Sequence, residues 1–406
     1  MKIAFRSITF WIFAGLFLGI LCGEIFGEGI IPLADMLSGI FLRLLRMAIM
    51  PLIVASIISG VIKVGSRHNL GLLGARTFTY YVTSTLMAIL TGQILVNIFQ
   101  PGRNSVIQME QAPEEITALE QGFGDIIKNI IPENPFQSLM NGDVLPVIFF
   151  SILLGYFLTQ IGDEYKTHMN NLFSGFFEAM MKMTRFIIWS APFGVFGINA
   201  RIVATTGFEA FISLGYYFII VLTGLTIHAF VNLPLLMHFI TKKNPFYHYK
   251  GMPSALVTAF STCSTIVTLP LTIQAVTEHS RVSKKIASFV LPIGATVNMD
   301  GTALYECVAA IFIAQVYGFE LTFVHQLIIV ATALLASIGA ASVPMSGLVM
   351  MSIILTAVGL PLEGVALILA VDRVLDMFRT MVNVLSDSVG SVVVAKLEGE
   401  DVLAES

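Results

Sequence analysis

Apolar residues run along this chain in long stretches, at about 8–27, 36–64, 77–100, 143–161, 171–202, 207–241, 284–317 and 363–396. An α-helix needs roughly 20 residues, at about 1.5 Å each, to cross a bilayer core. The pattern predicts an all-α polytopic membrane protein with eight transmembrane helices. Two further stretches, about 250–278 and 322–358, are apolar but interrupted by Ser, Thr, Gly and Pro. In the first, Ser261, Thr262, Ser264 and Thr265 precede Pro270; in the second, Ser337, Gly339 and Ser342 precede Pro344 and Gly347. Hydroxyls and proline at membrane depth free backbone groups that lipid cannot satisfy, so such backbone must be buried in protein or line a polar cavity. Two broken hairpins in different parts of one chain predict inverted structural repeats meeting at a central site. Two ordinary kinked spans are the alternative.

Charge sets the expected orientation. Basic residues follow the second segment (Lys63, Arg67, Arg76), the sixth (Lys242, Lys243, Lys250) and the first interrupted stretch (Arg281, Lys284, Lys285). The linker at 103–135 is mostly acidic (Glu110, Glu114, Glu115, Glu120, Asp125). The positive-inside rule puts the basic segments in the cytoplasm and the acidic linker outside. Both termini are then cytoplasmic, provided each interrupted stretch enters and leaves on one side. Lys2 and Arg6 before an apolar run resemble a secretory leader, but no small-residue cleavage site follows, so the run reads as a retained first helix. The tail 397–406 is short, acidic and expected to be disordered. At 56% hydrophobic and 12% charged, against about 25% charged for soluble domains, the 406-residue chain is too apolar for a soluble protein. No basic cluster suggests nucleic acid. Cys22, Cys263 and Cys307 read as small core residues, and the seven scattered histidines, His228 among them, show no metal-binding spacing. Arg43 and Arg46 read as scaffold residues that snorkel to the interface.

Candidate chemistry lies near the C-terminus. Asp372, Asp376, Arg379, Thr380, Asn383 and Asp387 are spaced four, three, one, three and four apart, which puts all six on one helical face. An ionisable group at membrane depth costs roughly 2.5–3.5 kcal/mol on insertion scales, so this face is expected to bind something charged. The run from Asn298 to Thr302, with Asp300 beside Gly301 and with Pro292, Gly294 and Thr296 upstream, predicts local unwinding that exposes carbonyl oxygens. With Asn383 and Asp387 it makes an all-oxygen ligand set, suited to Na⁺ rather than zinc or copper. A helix-packing polar network is the bland alternative.

On these motifs the chain resembles the glutamate transporter family, the dicarboxylate/amino acid:cation symporters, over nearly its whole length and most strongly over 255–395. The resemblance implies a sodium-driven importer of acidic amino acids, a homotrimer in the plasma membrane working by elevator-type alternating access. It divides the chain into scaffold spans at 1–76, a transport-domain span at 77–101, an extracellular linker with two scaffold spans at 102–205, and the rest of the transport domain at 206–396. By resemblance, Ser264 and Thr265 hold the α-carboxylate, largely through backbone groups, and Asn383 contacts the same end. Asp376 takes the α-ammonium. Arg379 forks onto the side-chain carboxylate with help from Thr302, as its planar guanidinium allows. Thr380 lies on the same face, and Val343 and Gly347 belong to the gating second hairpin.

The resemblance also implies three sodium sites. One uses Gly294, Asn298 and Asn383 carbonyls with the Asp387 carboxylate. A second uses Thr296 with Ser337, Ile338 and Ala340. A third uses Tyr81, Ser84, Thr85, Asn298 and Asp300; the first three fall at i, i+3 and i+4, one helical face. Two departures stand out: Ala340 lacks a hydroxyl some relatives carry, and Ser386 replaces a common glycine. Glu306 sits where some relatives carry a protonatable glutamate, which makes it a candidate proton carrier; a hydrogen-bonded structural glutamic acid is the other expectation. A neutral amino acid exchanger or a dicarboxylate carrier of the same family is the closest rival. An ion channel or an intramembrane enzyme fits less well, the latter for want of a nucleophile–base pair.

Overall fold

The computed structural model describes residues 8–65, 71–103, 131–206, 209–339 and 346–403, and no strand occurs among them. That follows from the solvent: hydrocarbon offers no partner for backbone N–H and C=O, so a spanning segment must satisfy them within one helix. One set of helices comprises α1 (Ile8–Phe26), α2 (Ile31–Gly65), α4 (Pro135–Asn141), α5 (Val144–Gln160), α6 (Asp163–Ile188) and α7 (Ala191–Thr206). Within it, α1 and α2 pack on α7, and α2 also packs on α5 and α6. The second set comprises α3 (Gly71–Phe99), α8 (Glu209–Ile227), α9 (Leu233–Thr241), α10 (Pro245–Gly251), α11 (Pro253–Thr262), α12 (Thr265–Glu278), α13 (Lys284–Val297), α14 (Asp300–Val316), α15 (Phe323–Gly339), α16 (Ser346–Ala357) and α17 (Gly364–Leu397). Here α17 and α14 are central, touching α3, α8, α16 and each other.

Five stretches among the described residues are long and apolar enough to cross a membrane: Phe10–Leu44, Leu72–Phe99, Ser213–Thr241, Lys284–Val316 and Val371–Leu397. Pro146–Gln160 and Phe323–Ser337 are shorter apolar helices. The Lys284–Val316 window is wholly enclosed by protein and the Val371–Leu397 window nearly so. These two segments therefore form the interior of the molecule, and they carry most of the expected site.

Close packing in the first set depends on three glycines on one face of α1. A Cβ on Gly15, Gly19 or Gly23 would lie 2.3, 2.5 or 2.5 Å from the carbonyl oxygens of Pro192, Phe196 and Ala200 on α7. Small residues at this spacing let two membrane helices approach backbone to backbone.

The helices break where the sequence gives cause. The stretch 171–202, expected as one span, is divided between α6 and α7 by a turn at Trp189–Ser190, where Phe193 and Gly194 N–H donate to the Ser190 carbonyl. Pro192 has no N–H to continue the ladder, which makes it a first-turn residue of a new helix. The first interrupted stretch is a helical hairpin: α11 ends at Cys263 in the left-handed region (φ 50°), and the Ser264 hydroxyl caps α12 by accepting from Val267 N–H. The second is α15 packed on α16, with 340–345 outside the described residues. The stretch 284–317 unwinds between α13 and α14, where Asn298 is extended and Met299 is non-helical.

The described part of the tail, up to residue 403, is held by specific contacts where its acidity predicts disorder. Glu398 pairs with Arg76 at 2.8 Å and Asp401 with Lys243 at 2.8 Å. Glu400 accepts from Ser283 N–H, and Leu403 N–H donates to the Ser280 carbonyl. Val402 and Leu403 are buried, and these two apolar side chains outweigh the charges around them. The Lys243 ammonium holds the Asp401 carboxyl below its usual range.

Candidate functional site

All six polar side chains of the α17 face are buried. Arg379 is 1% exposed, an expensive place for a guanidinium unless it is partnered. Its Nη2 lies 3.0 Å from Asp376 Oδ1 and 3.1 Å from Asp372 Oδ1. The Asp376 contact is a hydrogen bond; the Asp372 contact has the distance but not the direction of one. The guanidinium carbon stands 3.9 Å from the ring centroid of Tyr305, an attractive cation–π arrangement, and Tyr305 is supported by Tyr217, which stacks on Phe312. Arg379 Nε and Nη1 and Asp376 Oδ2 have no hydrogen-bond partner. Arg373 approaches Asp376 Oδ2 only to 3.5 Å.

Beside this charged group stand two helix starts. Gly347, in the first turn of α16, is so close that a Cβ there would lie 2.9 Å from Arg379 Nη1. Gly301, in the first turn of α14, lies against the Arg379 backbone, and its N–H donates to Asn383 Oδ1 at 2.8 Å. The last turn of α11 meets α17 through Phe260 and Phe378, edge to face at 5.1 Å. Helix N-termini carry partial positive charge and unpaired N–H groups, so together with Arg379 they favour an anion. Thr302 Oγ1 accepts from Asn383 Nδ2, and the Thr380 hydroxyl bonds back to the Asp376 carbonyl. The Thr265 hydroxyl donates to the Ala295 carbonyl, while the Ser264 hydroxyl accepts from Val267 N–H and keeps its own O–H. What the pair can offer a ligand is backbone and the Ser264 O–H.

A second polar cluster lies two turns further along α17. Asn298 Nδ2 donates to Asp387 Oδ1 and to Ser386 Oγ, each at 3.0 Å. Thr85 donates to Asp300 Oδ1 at 2.6 Å and Ser84 to the Tyr81 carbonyl at 3.2 Å, and both hydroxyls lie 3.3 Å from Asn298 Oδ1. Gly294 is pressed so close that a Cβ would fall 2.4 Å from Asp387 Oδ1 and 2.7 Å from the Tyr81 hydroxyl. No group of three His, Cys, Asp or Glu gathers among the described residues. A cation here would meet two carboxylates, one amide, hydroxyls and carbonyls, all hard oxygens.

Of the expected sodium ligands, Tyr81, Ser84, Thr85, Gly294, Asn298, Asp300, Asn383 and Asp387 thus fall in one connected region. The Tyr81 phenol itself donates to the Val290 carbonyl. Thr296 and Ser337 bond within their own helices, to Ile293 and Leu334 carbonyls, and Ile338 lies in α15. Ala340 and Val343 lie outside the described residues. Glu306 is fully buried on α14 with neither carboxyl oxygen hydrogen-bonded.

Sequence reasoning passed over three participants. His228, set aside as one of several scattered histidines, is 0% exposed and lies 3.0 Å from Asp300 Oδ2. Ser386, noted only as a departure, donates to the same oxygen. Asp372 was seen on the polar face without a role. For His228 the available signal was its place inside an apolar span, where an ionisable group needs a reason.

Comparison with known proteins gives the same direction. The model of the sodium:dicarboxylate symporter family matches residues 8–397. Mouse (Mus musculus) excitatory amino acid transporter 3 is 38% identical over 415 residues, covering 89% of this chain and 79% of the mouse protein. An excitatory amino acid transporter of Caenorhabditis elegans is 37% identical, covering 90% of this chain and 82% of its own length. Human (Homo sapiens) excitatory amino acid transporter 2 is 36% identical, covering 94% and 77%.

Proposed function

The chain belongs to the sodium:dicarboxylate symporter family, and from that membership and the charges of its interior we propose that it imports acidic amino acids, glutamate or aspartate, together with sodium ions. The protein is a transporter, not an enzyme. The observation that carries the substrate class is Arg379: a buried guanidinium with two nitrogens, Nε and Nη1, not hydrogen-bonded, beside an aspartate whose Oδ2 accepts no hydrogen bond and meets Arg373 only at 3.5 Å. A substrate presenting both a carboxylate and an ammonium answers both needs. A dicarboxylate lacking the ammonium would bring no donor to Asp376 Oδ2, and a neutral amino acid would bring no acceptor to Arg379 Nε and Nη1; buried donors and acceptors left without a hydrogen bond are costly.

Coupling follows from shared elements. Arg379 and Asp387 lie eight residues apart on one helix, about 12 Å, and the unwound Asn298–Met299 segment leads from the oxygen cluster directly to Gly301 and Thr302. A cation that fixes Asn298 and Asp300 therefore also fixes the start of α14 and its bond to Asn383, and substrate does the reverse. That is a coupling free energy, equal in both directions. Glu306, buried beside the charged group with no hydrogen bond, is the candidate proton carrier. Closure of the second hairpin over a loaded site, movement of the site-bearing helices as a unit, trimerisation and cytoplasmic termini complete the proposal by family resemblance.

Uptake into proteoliposomes with imposed Na⁺, H⁺ and K⁺ gradients tests it. L-aspartate, D-aspartate or L-glutamate should accumulate only with an inward sodium gradient, and succinate poorly. Accumulation driven without sodium, or equal transport of succinate, would overturn the assignment.

A further inference from the structure

The geometry points to His228 as a positioning residue that orients Asp300 in the oxygen cluster and thereby sets the affinity for the coupled cation. This rests on the cation assignment made above for that cluster.

His228 opens a π-helical turn, His228–Asn232, in the middle of the Ser213–Thr241 span. Such a turn inserts a residue into the ladder and is frequent at functional sites. Here it sets His228 and Asn232 against each other. The hydrogen bonds run in one direction along the network. Thr91 donates to the Met87 carbonyl at 2.8 Å, so its oxygen accepts from Asn232 Nδ2, also at 2.8 Å. The same Asn232 nitrogen faces His228 Nδ1 at 3.3 Å. Nδ1 is therefore the acceptor of the ring, and Nε2 carries the hydrogen donated to Asp300 Oδ2 at 3.0 Å.

The two oxygens of Asp300 are thereby divided. Oδ2 receives His228 and Ser386, while Oδ1 is turned toward Thr85 and Ser84 on α3. Ser386 in turn accepts from Asn298 Nδ2, which aims Asn298 Oδ1 at the same two hydroxyls. His228 touches neither α17's charged group nor α3's hydroxyls in any hydrogen bond among the described residues; its effect runs through Asp300. A partner behind a metal ligand fixes the orientation of that ligand, and losing one typically weakens metal binding about 10–100-fold.

The test measures the sodium concentration for half-maximal aspartate uptake, together with maximal rate and substrate KM at saturating sodium, in proteoliposomes. His228→Leu keeps bulk without the donor, His228→Asn keeps polarity but not reach, and His228→Gln places an amide N–H close to the position of Nε2. Leu and Asn should raise the half-saturating sodium about tenfold or more, far beyond any change in substrate KM at saturating sodium. Gln should bring it back to within about threefold of wild type. Should Leu fail to give a monodisperse protein, the Asn and Gln pair carries the same comparison. Unshifted sodium dependence in Leu or Asn, or a maximal rate that falls alike in all three while sodium affinity stays put, overturns the positioning role and makes His228 a packing residue. Sodium-independent uptake by the wild type would instead defeat the functional reading on which this rests.

Discussion

Arg379 and Tyr305 face each other with the guanidinium carbon 3.9 Å from the ring centroid. The ring covers one face of the cation with π density and leaves the edge, with Nε and Nη1, for another partner. Replacing Arg379 with Cys should abolish uptake of acidic amino acids and admit small neutral ones. Competition of labelled aspartate against serine or alanine reads this directly; undiminished aspartate transport by the variant would refute the role.

Gly347→Ala isolates the geometry of that edge without touching the charge. The new methyl would meet Arg379 Nη1 at 2.9 Å, and the flexible arginine, not the backbone, would yield. The protein should fold normally, while KM for aspartate rises about tenfold, equivalent to about 1.4 kcal/mol. Substrate titration of uptake at saturating sodium checks it.

Asp387→Asn should raise the sodium requirement of uptake and leave the substrate end intact, because Asp387 bonds Asn298 and not Arg379. Gly294→Ala should act in the same direction, since its methyl would fall 2.4 Å from the Asp387 carboxylate. Sodium titrations of both variants should shift to higher concentration.

The Arg379 and Asp387 predictions depend on motifs legible in the sequence, and the reason is periodicity. Spacing alone placed Asp372 through Asp387 on one face, and the Asp300–Gly301 pair inside an apolar span marked the unwinding. The pairing of His228 with Asp300 is not legible because the two are 72 positions apart and no local spacing joins them. The docking of residues 398–403 escapes the pattern for a related reason: Val402 and Leu403 are too few to register as an apolar run, and the polar anchors of the segment, Lys243, Ser280 and Ser283, lie far upstream. The break at Trp189–Ser190 was signalled by Pro192 but hidden by the uniform hydrophobicity around it.

Gly19→Leu should destabilise the first helix set with no change in the site. Its side chain would have to enter a space closed by the Phe196 carbonyl 2.5 Å from Cβ, and backbone cannot move aside cheaply. Overpacking of this kind costs about 1–3 kcal/mol or more. A lower thermal midpoint in detergent, with unchanged KM in the folded fraction, is the expected outcome.

His248 predicts a pH dependence of stability. It lies in the connection between α9 and α11, with Nδ1 2.7 Å from Ser280 and Nε2 2.9 Å from Ser388, and burial lowers its pKa from 6.5 to about 3. Below pH 6.5 the unfolded chain gains a proton at this site that the folded protein does not take up until about pH 3. Stability is therefore fully present above pH 6.5 and falls as pH drops toward 3, by about 2 kcal/mol at pH 5. Thermal midpoints at pH 7.5 and pH 5 should differ, and the difference should shrink in His248→Gln.

The most direct measurement is equilibrium binding of L-aspartate to purified protein in sodium chloride and in choline chloride at equal ionic strength. Reciprocal coupling through Asn298, Asp300 and Asn383 predicts that affinity rises steeply with sodium and is lost in choline. Equal affinity in both salts would contradict it.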